Sequence, residues 1–383
     1  MTRIAIDSWA LESRFRYQGT YVYAQQVVAG FQRLAAQRSD VEISLFTAFR
    51  PGNDADSYRA GRGFNLVPAQ ALANERWWRL FGAARAASTV HADVLFAPTV
   101  SSLPLGRVPM VSTIHDVTPL VMPSHSTGLT VMLRSFMRWV AKYSRAIITD
   151  SHCSRSDLVR LYGLPESKVA VIYLGYNKAA FNDLAADIQQ QKKLLARLGI
   201  NDRPYIVHHG TIQPRKNLAR LIQAYRLMLS RNRSLDLDLV LVGNKGWRYE
   251  ETLEAANAQT GERGRVLFPG ILEDPELALL IKGAALAVIP SLYEGFCLPM
   301  VECMACGIPT IAAGTSCLPE VSGNGLLYFD PTSIEDMAGQ MESALTDTEL
   351  ARRLRARGLA RASAFEWARC AEQTLDLLVN VAK

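Results

Sequence analysis

The sequence predicts an α/β protein built from two Rossmann-like domains, each a parallel sheet with crossover helices. Three observations lead there. Short β-branched and apolar runs alternate with amphipathic helical patterns along the whole chain, which is the signature of repeated βα units. At 383 residues the chain is longer than one hydrophobic core comfortably serves. Its composition, 49% hydrophobic and 20% charged, is that of a globular protein and not of a disordered or fibrous one.

In the first half, RIAID (3–7), VEISLFT (41–47), VLFAP (94–98), VPMVSTIHD (108–116), RAIITDS (145–151) and VAVIYLG (169–175) read as strands. Helical patterns such as TYVYAQQVVAGFQRLAAQ (20–37) and SRSDLVRLYG (154–163) separate them. The second half repeats the theme with PYIVHHG (204–210), LDLVLVG (237–243), VLFPG (266–270), LAVIP (286–290), TIAAG (310–314) and GLLYFD (325–330). The expected domains are 1–180 and 181–364, changing over near 176–191, with 365–383 as a final helix.

No apolar run approaches the roughly 18–20 residues of a membrane-spanning helix. The start, MTRIAIDSWA, reads as a buried strand and not as a secretory signal, so a cytoplasmic location is expected. Charge is uneven: residues 1–180 carry 20 Lys+Arg against 12 Asp+Glu, and the remainder 22 against 24. Within the basic half, 129–146 places Arg134, Arg138, Lys142 and Arg145 at helical spacing, and NERWWRL (74–80) adds Arg76, Arg79 and two tryptophans. Such a surface suits an anionic membrane face or a solvated helix over a core; no nucleic-acid motif accompanies it. Cys303 and Cys306 form a C-x-x-C, but they stand alone in an Ala/Met-rich helical run and are expected to be buried thiols with no metal site. Two D-x-D triplets, Asp54/Asp56 and Asp236/Asp238, lie away from the carboxyl ends of strands and are discounted as metal ligands.

Ligands of open α/β sheets bind beyond the carboxyl ends of strands, so the loops there hold the candidate residues. In YIVHHGTIQPRKNL a strand ends at Gly210, Thr211 follows, and Arg215–Lys216 precede a helix: two cations at a loop-to-helix junction suit either a phosphate cradle or a solvated basic pair. In EGFCLPMVE (294–302) Pro299 marks the first helical position, placing Glu294 in the loop and Glu302 in the opening turn. Gly295, Phe296, Cys297 and Leu298 lead into that helix, and the N–H groups of the last three can receive an anion. Two carboxylates flanking such an anion site make sense if they grip hydroxyls, which points to a sugar nucleotide. His115 and Asp116 end a strand of the first half, and Gly19 in YQGTY permits close approach of a ligand after the first strand. VGNKGW, with Asn244, and FPGILED, with Gly270 and Ile271, are placed to hold a base or its ribose.

With these residues assembled, the chain resembles the retaining glycosyltransferases of family 4, which have the GT-B fold of two Rossmann-like domains facing across a cleft. RIAIDSWAL with YQGTY, SHCSRSDLVRLYGLPESKVAVIYLGYN, GTIQPRKNL, EGFCLPMVECMACGIPTIA and SCLPEVSGNGLLYFDP carry the resemblance in order over nearly the whole length. It implies that Arg215 and Lys216 bind the donor diphosphate, Glu302 the ribose hydroxyls and Glu294 the transferred sugar. It further implies that His115 hydrogen-bonds that sugar and Gly19 lies against the donor phosphates. Many members carry an arginine where this chain has Thr211, so Arg215 bears more of the phosphate charge. No metal or other cofactor is expected, and closure of the cleft would exclude water. The wording of the motifs is most similar to bacterial mannosyl- and rhamnosyltransferases of surface-polysaccharide assembly. GDP-mannose is the expected donor, GDP- or dTDP-rhamnose the alternatives, and a polyprenyl-diphosphate-linked glycan the expected acceptor. The competing readings are a sugar-nucleotide epimerase and a non-catalytic sugar-nucleotide binder.

Overall fold

The computed structural model describes residues 1–12, 16, 18–47, 58–68, 78–122, 127–200, 203–258 and 263–383. Tyr17, Asp54, Asp56, Arg76 and Trp77 lie outside the described residues. The chain divides into two compact units, Met1–Gly175 with Glu366–Lys383, and Tyr176–Phe365.

The first unit holds strands β1 (Thr2–Ile6), β2 (Val41–Thr47), β3 (Phe64–Pro68), β4 (Val94–Ala97), β5 (Met110–Thr113), β6 (Ala146–Thr149) and β7 (Val169–Val171). They form one parallel sheet in the order β3-β2-β1-β4-β5-β6-β7. β3 was not expected from sequence. FNLVP is a half-buried edge strand ending in proline, too short to show an alternation. The strand runs 108–116 and 169–175 also overreach: β5 stops at Thr113 and β7 at Val171, leaving the following residues as loop. Helix Gly19–Gln37 returns β1 to β2 and buries Tyr23, Ala24, Val27, Val28 and Phe31 along one face. The last helix, Trp367–Ala382, lies against it so closely that a Cβ on Gly30 would stand 2.3 Å from that of Ala371.

The second unit holds β8 (Tyr205–His209), β9 (Asp238–Val242), β10 (Val266–Gly270), β11 (Leu286–Ile289), β12 (Thr310–Ala313) and β13 (Leu327–Phe329). Their order is β10-β9-β8-β11-β12-β13, again all parallel. β8, β9, β11 and β12 are buried along their whole length, as a sheet covered on both faces requires. Both sheets reverse winding direction once, between β1 and β4 and between β8 and β11. At such a reversal the following loops part and leave a crevice at the strands' carboxyl ends. Among the described residues no helix is long and apolar enough to cross a membrane.

Candidate active site

The site of the second unit is assembled at its winding reversal. β8 runs into Gly210, whose φ of +137° turns the chain out of the sheet. A short 3-10 turn, Pro214–Lys216, follows, and Asn217 in a left-handed conformation opens helix Leu218–Arg231. Gly243, at the end of β9, presses on this turn: a Cβ there would fall 2.0 Å from the Gly210 carbonyl oxygen. β11 ends at Ile289 and its loop comes back beside the first, with the Leu292 amide donating to the Arg215 carbonyl at 2.9 Å. Two loops about 80 residues apart in sequence are thereby held side by side.

Three charged side chains meet where these loops touch. Arg215 donates from Nη1 to the Tyr293 carbonyl at 2.7 Å and to Glu294 Oε2. Lys216 donates from Nζ to Glu294 Oε1 at 2.6 Å. The Glu294 amide donates to Ser316 Oγ at 3.0 Å, which fixes the carboxylate's approach. The side chains are 14%, 6% and 7% exposed, so the charges face one another with little water between them. Burial alone would raise the Glu294 carboxyl, but the Arg215 and Lys216 charges overcome it and hold it at about 2.

Helix Leu298–Ala305 begins beside the triad, with Cys297 as its left-handed N-cap at φ +74°. Here the expectation from sequence is corrected. Leu298, not Pro299, is the first helical residue, so Glu302 falls after the opening turn. Glu302 is 17% exposed and lies 3.5 Å from His209 Nε2, which itself donates to the Pro299 carbonyl at 3.1 Å. Burial, followed by the neighbouring His208, pushes His209 down to about 3, so it is neutral at physiological pH. Its contact with Glu302 is therefore not an ion pair. Burial, then the charge of Asp274, raises Glu302 to about 8. The two glutamates of E-x7-E thus differ in kind: Glu294 is ionised and paired, while Glu302 holds its proton at neutral pH. His208, also buried, donates from Nδ1 to the Val288 carbonyl at 2.9 Å, and its Nε2 has no partner among the described residues.

Around this centre, Gly295, Phe296 and Cys297 are buried in the loop and Leu298 is half-buried. Thr211 follows Gly210, and Asn244 follows Gly243, its carbonyl accepting from the Ile212 amide at 2.9 Å. Gly270 closes β10 and Ile271 beyond it is 43% exposed, an apolar face of the kind a base can rest on. Asp238 begins β9 at the far, amino end of the sheet and is paired with Arg265, which supports discounting that D-x-D. Cys303 and Cys306 are buried, and burial pushes the Cys306 thiol up to about 12. Among the described residues no cluster of three His, Cys, Asp or Glu side chains is placed to hold a metal ion.

In the first unit His115 stands just beyond the carboxyl end of β5, as its sequence position predicts. Its Nδ1 meets Asp150 Oδ2 at 2.8 Å and its Nε2 meets the Pro98 carbonyl at 3.1 Å. Burial lowers the imidazole's basicity, but the Asp150 charge and hydrogen bond outweigh it and the net shift is upward. A charged ring donating on both sides satisfies both contacts. Asp150 was missed from sequence although it ends a strand run, because nothing local links it to a histidine 35 positions away. Asp7 was missed too. It is fully buried after β1, with Trp78 Nε1 donating to it at 3.0 Å and Ser101 and Ser102 each at 2.6 Å. Gly19 opens helix Gly19–Gln37, and among the described residues a Cβ there would meet nothing within 4 Å.

Both halves of the chain match known proteins. Residues 25–179 match the family model "Glycosyltransferase Family 4", and residues 190–361 match "Glycosyl transferases group 1". The O-antigen chain mannosyltransferase B of Escherichia coli is 29% identical over 90% of this chain and 92% of its own. The serotype-specific mannosyltransferase WbdA of E. coli is 30% identical over 72% of this chain, which spans 34% of that protein. Among solved structures, Anabaena HepE in complex with UDP and glucose superposes with a TM-score of 0.75 at 20% identity, covering 99% of this chain and 100% of that one, a likeness of fold. With one family model on each unit and a mannosyltransferase relative over nearly the full length, the chain belongs to the family 4 glycosyltransferases and is a glycosyltransferase of the GT-B fold.

Proposed function

We propose that this enzyme transfers mannose from GDP-mannose, with retention of configuration, to a glycan carried on a polyprenyl diphosphate during surface-polysaccharide assembly. The observation that carries the reading is the buried Arg215–Lys216–Glu294 triad at the β8/β11 reversal, the place where this fold binds nucleotides. The mannosyltransferase names of the E. coli relatives support the sugar. Arg215 and Lys216 take the β-phosphate, with the N-terminus of helix Leu298–Ala305 beside it, and stabilise the charge that gathers there as the bond breaks. Glu294 receives hydroxyls of the transferred sugar and Glu302 those of the ribose. His115 donates from Nε2 to the sugar once that nitrogen leaves the Pro98 carbonyl. The C1–O bond to phosphate breaks with its electron pair going to the diphosphate. The acceptor hydroxyl adds to C1 on the same face and its proton passes to the departing phosphate oxygen. Two fixed cations supply the electrostatic stabilisation, so turnover is expected to need no metal.

Incubation with GDP-mannose, GDP- or dTDP-rhamnose and UDP-glucose, together with a polyprenyl-diphosphate glycan, tests the reading. An α-linked product from GDP-mannose, insensitive to EDTA, is expected. Isomerised sugar nucleotide without glycoside would make the protein an epimerase, and donor binding without turnover would make it a binder.

A further inference from the structure

The amino ends of β5, β6 and β7, opposite the end that carries His115, enclose a pocket of about 440 Å³. Arg107 precedes β5, Arg145 precedes β6 and Lys168 precedes β7, and all three line it together with Tyr143, Ser144 and Ser167. No acidic residue is among its described lining residues. The neighbouring Glu166 is turned away to Arg155, 2.7 Å from its Nη2. The sequence contains no Asp or Glu at all between Asp116 and Asp150. Lys168 donates one N–H to the Lys142 carbonyl at 2.5 Å, and burial and then the nearby Arg145 charge lower its pKa. These cations crowd one another where an anion would relieve them.

The surroundings identify the anion. Helix Thr127–Tyr143 buries Met137, Val140 and Ala141, yet leaves Val131, Met132, Trp139 and Tyr143 exposed by 55%, 58%, 44% and 50%. Trp139 and Tyr143 pair at 4.6 Å between ring centroids, and Leu105, on the segment lining the pocket, is 41% exposed. Arg138 and Lys142 are exposed between these apolar residues. An ordinary surface helix turns its apolar stripe inward; this one carries a second, outward stripe interleaved with cations and lacking acids. Aromatic rings, aliphatic side chains and cations with no acidic partner among the described residues, in one band, match the interface of an anionic bilayer.

We propose that Arg107, Arg145 and Lys168 seat the phosphate of an anionic phospholipid headgroup, with Leu105, Trp139 and Tyr143 set into the bilayer surface around it. Vesicle binding is read without turnover, so this site and the proposed donor chemistry can fail separately. The test is co-sedimentation with phosphatidylcholine vesicles with and without phosphatidylglycerol, at low and high salt. The wild-type protein should bind the anionic vesicles, release them at high salt and ignore the neutral ones. R107Q/R145Q/K168Q should bind roughly a hundredfold more weakly and, separately, W139S/Y143S about tenfold more weakly, with melting temperature and GDP binding unchanged. Equal binding to neutral vesicles, or undiminished binding by either variant, overturns the proposal. So does saturation of the pocket by soluble glycerol phosphate with no added affinity for vesicles, or a single-stranded RNA bound as well as the anionic surface.

Discussion

The arrangement of Glu294 has a consequence opposite to the usual effect of removing a binding residue. In the structure both its oxygens are occupied by the two cations assigned to the donor diphosphate. An incoming diphosphate therefore competes with Glu294 before Glu294 can turn to the sugar. The carboxyl's displacement from 4.5 to about 2 corresponds to roughly 3 kcal/mol of attraction, net of burial. If phosphate binding surrenders about half of that, Glu294→Gln should tighten GDP binding by about tenfold. Turnover should fall sharply at the same time, because the hydroxyl acceptor on the sugar is weakened. The variant also leaves two buried cations without a counter-ion, so its melting temperature should drop, and GDP should raise it by more than in the wild type. Glu294→Asp keeps the charge on a shorter arm and serves as the control: GDP affinity stays near wild type while turnover falls. Titration calorimetry with GDP, which carries no sugar, isolates the effect. A folded Glu294→Gln protein that binds GDP no tighter than wild type would refute the competition.

Four further outcomes follow from the two units. Because Glu302 keeps its proton up to about 8 in the folded protein, the native state binds more protons than the unfolded chain above pH 4.5, and stability should decline as pH rises toward 8. Glu302→Gln should flatten that decline. If ribose hydroxyls donate to Glu302, GDP binding at neutral pH should also release a proton, seen by calorimetry in buffers of different ionisation enthalpy and lost in the same variant. Asp150→Asn removes the charge that holds His115 protonated, so the basic limb of the pH–rate profile should move to lower pH; an unmoved limb would exclude His115 as a charged donor. Gly243→Ala would force a Cβ to 2.0 Å from the Gly210 oxygen at a residue with φ +142°, and should cost about 2–4 kcal/mol of stability with loss of donor binding, read by chemical denaturation.

What was legible in the sequence depended on whether position along one βα unit was enough. Strand ends are local features: an apolar run stops, a glycine and polar residues follow, and the topology rule then makes Arg215, Lys216, Glu294 and His115 candidates. Their electrostatic states are not local. Glu294 is ionised because β8 and β11 are neighbours, which brings residues 78 and 79 positions away against it; Glu302, eight positions on in the same motif, is driven the other way by burial and the charge of Asp274. At the level of residue types E-x7-E offers two carboxylates suited to gripping hydroxyls, and sheet order sets their charge states apart. The left-handed Cys297 was hidden for a related reason. Propensity disfavours that conformation, and only the packing of the loop between β11 and its helix imposes it, shifting the helix start by one residue from the position Pro299 suggests. Helix Thr127–Tyr143 shows the same limit on the surface. Its apolar residues are numerous enough to occupy two faces, and periodicity cannot say which face the sheet will take. Burial of Met137 and Val140 decides it, and in doing so turns Trp139 and Tyr143 outward beside the cations at the sheet's amino end. In this chain, therefore, single motifs locate the chemistry, while the pairing of distant strand ends sets the charge state in which each residue works.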